Sequence, residues 1–181
     1  MPKIIENIRE KLIEEARRQV IEEGYSSMTI RSVAKACGVG VGTVYNYFPS
    51  KDMLVASFML EDWIQCVEVF RKVCENADAS EALRSIYQEL NLFKDKYSML
   101  FSDKSAGAGY ASSFQLRHGQ LRKQIAEAFM PICRKQSQND GTFLAEFIAE
   151  AMLSWTMAGC EYKQLEGVLL MLLLEELACR N

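Results

Sequence analysis

Histidine occurs once in the 181 residues, at His118, and proline three times. The six cysteines (Cys37, Cys66, Cys74, Cys133, Cys160 and Cys179) include no Cys-x-x-Cys, and the nearest pair is eight residues apart. That spacing and a single histidine give no zinc-ligand pattern. Most of the cysteines lie among apolar positions of helical spacing, where a thiol behaves as a small hydrophobe. Reduced, buried thiols are the expectation. There is no glycine-rich phosphate loop, no nucleophile motif and no evident pair of spaced carboxylates. These gaps argue against an enzyme, and no cofactor or metal is implied. The longest unbroken apolar run, Val168–Leu174, has seven residues, far short of a membrane span. The N-terminus lacks the apolar core of a secretory signal. A soluble cytoplasmic protein is expected.

Two-residue alternation of apolar and polar side chains is also missing, so no strand is predicted. Helix formers dominate instead, and about half the residues are apolar. The expected fold is all-α, with about nine helices. Ile5, Ile8, Leu12, Ala16 and Val20 recur at helical spacing and predict a first helix over 3–23, stopped at Gly24. Thr29 is a suitable N-cap for a short second helix that ends at Gly38. A tight turn follows, then a third short helix from about Gly42 that ends before Pro49. Ser50 caps a fourth helix over 51–75. Asp78 and Glu81 read as a capping box for a fifth, over 79–97. Residues 102–113, rich in Gly, Ala and Ser, read as a loop, with room for a short helix in it, able to gate a cavity. Three further helices are predicted over 114–136 (kinked at Pro131), 142–162 and 164–179.

Acidic residues are missing in one place that matters. The chain has a net charge of −3, yet residues 24–51 contain Arg31, Lys35 and Lys51 and no acid. This acid-free stretch is also the short helix, glycine turn, short helix. That geometry is a helix-turn-helix, with Val33, Ala34, Val39 and Val44 turned inward and the second short helix free to enter a major groove. Its outward set is Val41, Gly42, Thr43, Tyr45, Asn46 and Tyr47. Asn46 can pair with adenine, and the methyls of Thr43 and Val41 can meet a thymine methyl. Tyrosine hydroxyls and the Lys51 ammonium can reach phosphates, as can the backbone N–H groups at Thr29 and Ile30. Tyr45 also fits a packing role.

The segment "TIRSVAKACGVGVGTVYNYFPSKDML" resembles the TetR family of bacterial transcriptional repressors, with its Gly-Val turn and Gly-Thr-x-Tyr-x-Tyr-Phe-x-x-Lys pattern. The resemblance covers about 50 residues; the remaining 130 match only in helix number and length. It implies that Thr29 caps the second helix and meets a phosphate, and that Arg31 reaches a base or phosphate. Gly42 and Thr43 match the close-approach pair, and Tyr45 and Tyr47 match positions near the backbone. Asn46 matches a variable, base-reading position, and Lys51 a phosphate-binding lysine. Val41 departs from the polar residues common at its position. The implied organisation is a DNA-binding domain over 1–50 and a ligand-binding and dimerisation domain over 51–181. The implied activity is a dimeric repressor of a palindromic operator, released by a small-molecule effector. The alternative is a helical protein–protein adaptor that kept the fold without reading DNA.

The last two helices, about 142–179, are apolar on more faces than one chain covers, so they are expected to form a homodimer. An effector pocket is expected among Trp63, Phe70, Tyr87, Phe93, Tyr97, Phe114 and Trp155, apolar with a few polar handles.

Overall fold

The structure, a computed structural model, describes residues 7–136 and 140–178, with the side chains of 104–116, 136 and 174–178 left outside the description. Among the described residues there are nine helices and no strand: α1 Ile8–Glu23, α2 Ile30–Ala36, α3 Val41–Tyr47, α4 Lys51–Asn76, α5 Ala79–Lys96, α6 Ser98–Ser102, α7 Lys104–Gln136, α8 Thr142–Met157 and α9 Tyr162–Ala178. The expected start of the first helix at residue 3, and its stripe residue Ile5, lie outside the described residues. So do the side chain of Phe114 and Cys179.

The predicted helices match in order, and the differences are local. Residues 104–113 are helical, where a loop was expected, and α6 precedes them. Gly107 and Gly109 read as breakers, but each costs a helix only about 1 kcal/mol. Lys104, Ala106, Ala108 and Ala111 favour helix between them, and no proline intervenes. The α7 helix continues through Pro131. The α8 helix stops at Met157, five residues early, because Gly159 takes a left-handed φ of 85° just beyond its cap.

The chain divides into two compact units. The first is Met1–Asp62 with Lys96–Ser112. Its core is built from the stripe Leu12, Ile13, Ala16 and Val20 of α1, Ile30, Val33 and Ala34 of α2, Val44 and Phe48 around α3, and Leu54, Val55 and Phe58 of α4. Full burial of a side chain such as Phe58 stabilises by about 1.5–3 kcal/mol. Asp62, buried, binds Arg17 of α1 at 3.3 Å and is bonded by Lys96 and by the Tyr97 hydroxyl. A carboxylate removed from water needs such partners.

The second unit is Trp63–Asp95 with Ser113–Asn181. Phe70, Leu83, Ile86, Ile125, Phe129, Ile148, Met152 and Leu169 form its core. The five described cysteines form no disulfide with one another; Cys66, Cys74 and Cys133 are buried in that core, and Cys37 and Cys160 are half-buried. His118 of α7 lies 3.3 Å from the Ser154 hydroxyl of α8, which donates to Glu150 at 2.5 Å. No helix among the described residues is long and apolar enough to cross a membrane.

Candidate nucleic-acid interface

The second helix is fixed at its start. Thr29 is extended, and its Oγ1 accepts the Ser32 N–H at 3.0 Å, while Ser32 Oγ accepts the Thr29 N–H at 3.0 Å. This closed capping box satisfies two N–H groups that a helix end leaves open, and a cap of this kind is worth about 1 kcal/mol. The Ser32 hydroxyl also donates to Gln19 Oε1 at 2.5 Å, so a buried amide on α1 sets the first turn of α2. Neither Ser32 nor Gln19 was picked out by sequence reasoning. Ser32 stands three residues after the cap, where a capping box usually carries Glu or Gln.

Gly38 has a φ of 68°, so the turn requires the freedom that glycine has. The Val39 N–H then reaches back to the Ala34 carbonyl at 2.9 Å, and the chain enters α3 with Gly40 as its cap. Val44 and Phe48 are buried, as their spacing predicts, and they set the face that α3 turns outward. Gly42, Tyr45, Asn46 and Tyr47 are exposed, and Val41 and Thr43 are half-buried. At Gly42 an added Cβ would meet nothing within 4 Å, and the φ is not positive. Nothing inside the protein therefore demands glycine there.

The charges around this face are unevenly committed. Arg17 and Arg18 of α1 are paired with acids, Arg17 with Glu61 at 3.0 Å and Arg18 with Glu22 at 2.6 Å. Arg31 and Lys35 are exposed, one turn apart on α2, and form no ion pair among the described residues. Lys35 was absent from the predicted contact set, although its i, i+4 spacing from Arg31 puts the two on one face.

Lys51 is not a bare cation. Its Nζ lies 3.9 Å from the centroid of the Tyr25 ring and donates to the Tyr25 carbonyl. Burial holds its pKa below the ordinary lysine value, with Asp103 and Asp52 acting against that. The Tyr25 hydroxyl in turn donates to Asp52, and burial with that bond pushes the phenol pKa up. The position expected to meet a phosphate is therefore also a clamp on the turn between α1 and α2.

The expected pocket residues are scattered. Trp63, Phe70 and Phe93 do come together in the second unit: the Trp63 ring centroid is 6.0 Å from that of Phe70 and 5.6 Å from that of Phe93. The Trp63 indole N–H donates to Gln124 Oε1 at 2.7 Å. Tyr87 stands apart from them, against Tyr162, and donates to the Cys160 carbonyl. Tyr97 belongs to the first unit, stacked on Phe58. Trp155 is half exposed, so it lines no interior here. Among the described residues no three His, Cys, Asp or Glu are grouped to hold a metal ion.

Residues 12–58, the span of this head, match the family model of bacterial regulatory proteins of the tetR family. The chain is similar to the HTH-type transcriptional regulator UidR of Escherichia coli strain K12, 30% identical over 67 residues, or 37% of this chain and 34% of that protein. It is also similar to the fatty acid metabolism regulator protein of Bacillus subtilis strain 168, 26% identical over 118 residues, or 65% of this chain and 58% of that one. The matched region thus spans about a third of the first relative and just over half of the second. Among solved structures, a transcriptional regulator from Cytophaga hutchinsonii has the same fold, with a TM-score of 0.67 at 18% identity, covering 93% of this chain and 96% of that one. With the helix-turn-helix built as described and the family model laid over it, residues 12–58 match the DNA-binding head of the tetR family of bacterial regulatory proteins.

Proposed function

We propose that this chain is a DNA-binding transcriptional regulator and not an enzyme. In this reading it is a cytoplasmic repressor that binds a palindromic operator as a homodimer and is released by a small-molecule effector. Residues 1–50 act as the DNA-binding domain, and 51–181 carry ligand binding and dimerisation.

The observation that carries the reading is the outward face of α3. Gly42, Tyr45, Asn46 and Tyr47 are exposed together, while Val44 and Phe48 anchor the helix from behind. No acid occurs between residues 24 and 51 to repel a phosphate. Thr29, Arg31, Tyr45, Tyr47 and Lys51 are assigned to the DNA backbone, and Val41, Gly42, Thr43 and Asn46 to the groove floor.

Dimerisation through α8 and α9 is supported by what those helices leave in solvent. Phe143 and Phe147 lie one turn apart on α8, Trp155 about two turns further on, and Val168 and Met171 lie on α9. All five are exposed in one chain, Phe143 most of all. Large apolar side chains left exposed on helices that pack together mark an interface. A second copy offers the same patch, and a two-fold axis lets the two cover each other.

The effector is read as an apolar or amphipathic small molecule bound near Trp63, Phe70 and Phe93, with Gln124 as a polar handle. The naming of the Bacillus subtilis relative as a fatty acid metabolism regulator agrees with an apolar ligand. Release follows if the effector binds better to the arrangement in which two heads no longer match half-sites about one helical turn apart.

Selection of bound duplexes from a random pool tests the reading. An enriched inverted repeat with half-sites about one turn apart is expected. A pool that stays random through successive rounds would reject it and leave the adaptor alternative.

A further inference from the structure

The turn between α1 and α2 is gripped from two sides, and one grip comes from far along the chain. Asp103 Oδ2 accepts the Ser26 backbone N–H at 3.1 Å and the Ser26 hydroxyl at 2.7 Å. Seventy-seven residues separate the two. On the other side Lys51 and Asp52, at the start of α4, hold Tyr25 through its carbonyl, ring and hydroxyl. The α2 helix begins only a few residues later, and α3 packs directly on α2.

Three features separate the Asp103 contact from ordinary packing of the head. First, residues 8–58 already hold α1, α2 and α3 together through Val20, Ile30, Val33, Ala34, Val44 and Phe48, all buried. Second, Asp103 is itself held: it caps α6, its N–H bonds the Leu100 carbonyl at 3.3 Å, and Leu100 is buried. Third, α6 packs against α1, and the Met99 methyl lies 3.5 Å from where a Cβ on Gly24 would stand. The turn thus has one face against α6 and its middle N–H on the carboxylate that ends α6.

We infer that Asp103 is a positioning residue for DNA reading: through Ser26 it fixes the turn that delivers α2 and α3 to the duplex, and it makes the end of α6 an input to the head. The inference rests on the DNA-binding reading above. It carries a distinctive sign. Asp103 is an anion close to a face meant for phosphates, so by charge alone its removal strengthens binding. Loss of positioning weakens it.

The test compares Asp103→Ala, Asp103→Asn, Ser26→Ala and the Asp103→Ala/Ser26→Ala pair in the full chain. Affinity is measured by fluorescence anisotropy on the selected operator, and hydrogen exchange is followed at the amides of α2 without DNA. Losing a charge-assisted hydrogen bond predicts binding weaker by roughly five- to tenfold in Asp103→Ala, with faster exchange in the first turn of α2. Asp103→Asn, which keeps an acceptor, should recover most of both. The double variant should bind no worse than Asp103→Ala alone, because one path is cut either way. Equal or tighter binding by Asp103→Ala, or unchanged exchange at α2, overturns the proposal. Should Asp103→Ala lose its thermal transition, Ser26→Ala and Asp103→Asn decide by the same two readouts. If the parent chain enriches no duplex, the DNA reading fails by itself, and the exchange data still judge the tether.

Discussion

Gly42 separates what the fold requires from what the proposed duplex would require. Gly38 is glycine because its backbone is left-handed, but Gly42 sits in the first turn of α3 with open space where a Cβ would go. Gly42→Ala should therefore make the free protein slightly more stable, by a few tenths to about 1 kcal/mol, since alanine is the better helix former. The same methyl would stand between α3 and a base edge, so operator affinity should fall by an order of magnitude or more. Thermal melting and operator titration of the one variant read the two effects separately. A variant that is more stable and binds as before would remove Gly42 from the contact set. Lys51 behaves differently, because its ammonium is shared between the Tyr25 ring and carbonyl. Lys51→Met keeps the stem and should cost about 1 kcal/mol of stability through the lost cation–π and hydrogen-bond contacts. It should also weaken binding to cognate and random duplexes alike. A melt identical to the parent's would show the clamp to be energetically idle.

At the scale of elements, the proposed assembly rests on α8 and α9. Phe143, Phe147 and Trp155 place large rings in water, and a single chain has nothing to cover them with among the described residues. Phe147→Glu should turn a two-chain species into a one-chain species by light scattering, because a buried interface does not accept an unpaired carboxylate. In a Trp63→Phe background, emission from Trp155 should shift to the blue as concentration rises and the indole leaves water. A one-chain mass for the parent at all accessible concentrations would sink this interface. The pair α2–α3 was legible in the sequence because its determinants are local: a cap at Thr29, a glycine turn, and two inward residues, Val44 and Phe48. The helical start of α7 was not legible. Gly107 and Gly109 signal a loop locally, and helix prevails only over the longer stretch to Gln136. The exposure of Trp155 was not legible for a related reason, since apolar character on all sides of α8 does not say which side the chain's own core covers. The grip of Asp103 on Ser26 has no sequence signal, because a bond across seventy-seven residues exists only once the chain is folded.

At the scale of the whole molecule, several proton-bearing groups are buried in forms that resist losing the proton. Burial pushes the Cys74 thiol from its ordinary 9.0 up to about 12, with Cys133 and Glu75 adding to it. Burial likewise raises the Tyr162 phenol from 10.0 to about 12, with help from Glu166. Tyr25 and Tyr97 are raised as well, by burial first and then by their bonds to Asp52 and Asp62. A group whose folded pKa lies above its unfolded pKa stabilises the fold fully below the unfolded value. That contribution is lost as pH climbs towards the folded value. Lys51, lowered in the fold, works in the opposite direction below 10.5 and offsets part of the loss. Stability should therefore hold to about pH 9 and then decline. The first part of the decline, between 9 and 10, belongs to Cys74, with a share from Cys37, whose thiol burial also raises, because the tyrosines only begin to ionise in the unfolded chain near 10. A single group of this kind removes at most about 1.4 kcal/mol per pH unit between its two pKa values. Urea unfolding of the parent and of Cys74→Ala, at one fixed protein concentration and pH 8.0 to 11.0, isolates it. The variant should start lower, because a core atom is gone, yet lose less between pH 9 and 10 than the parent does. Curves that stay parallel through that interval would mean that Cys74 is not the group the alkaline limb first reports.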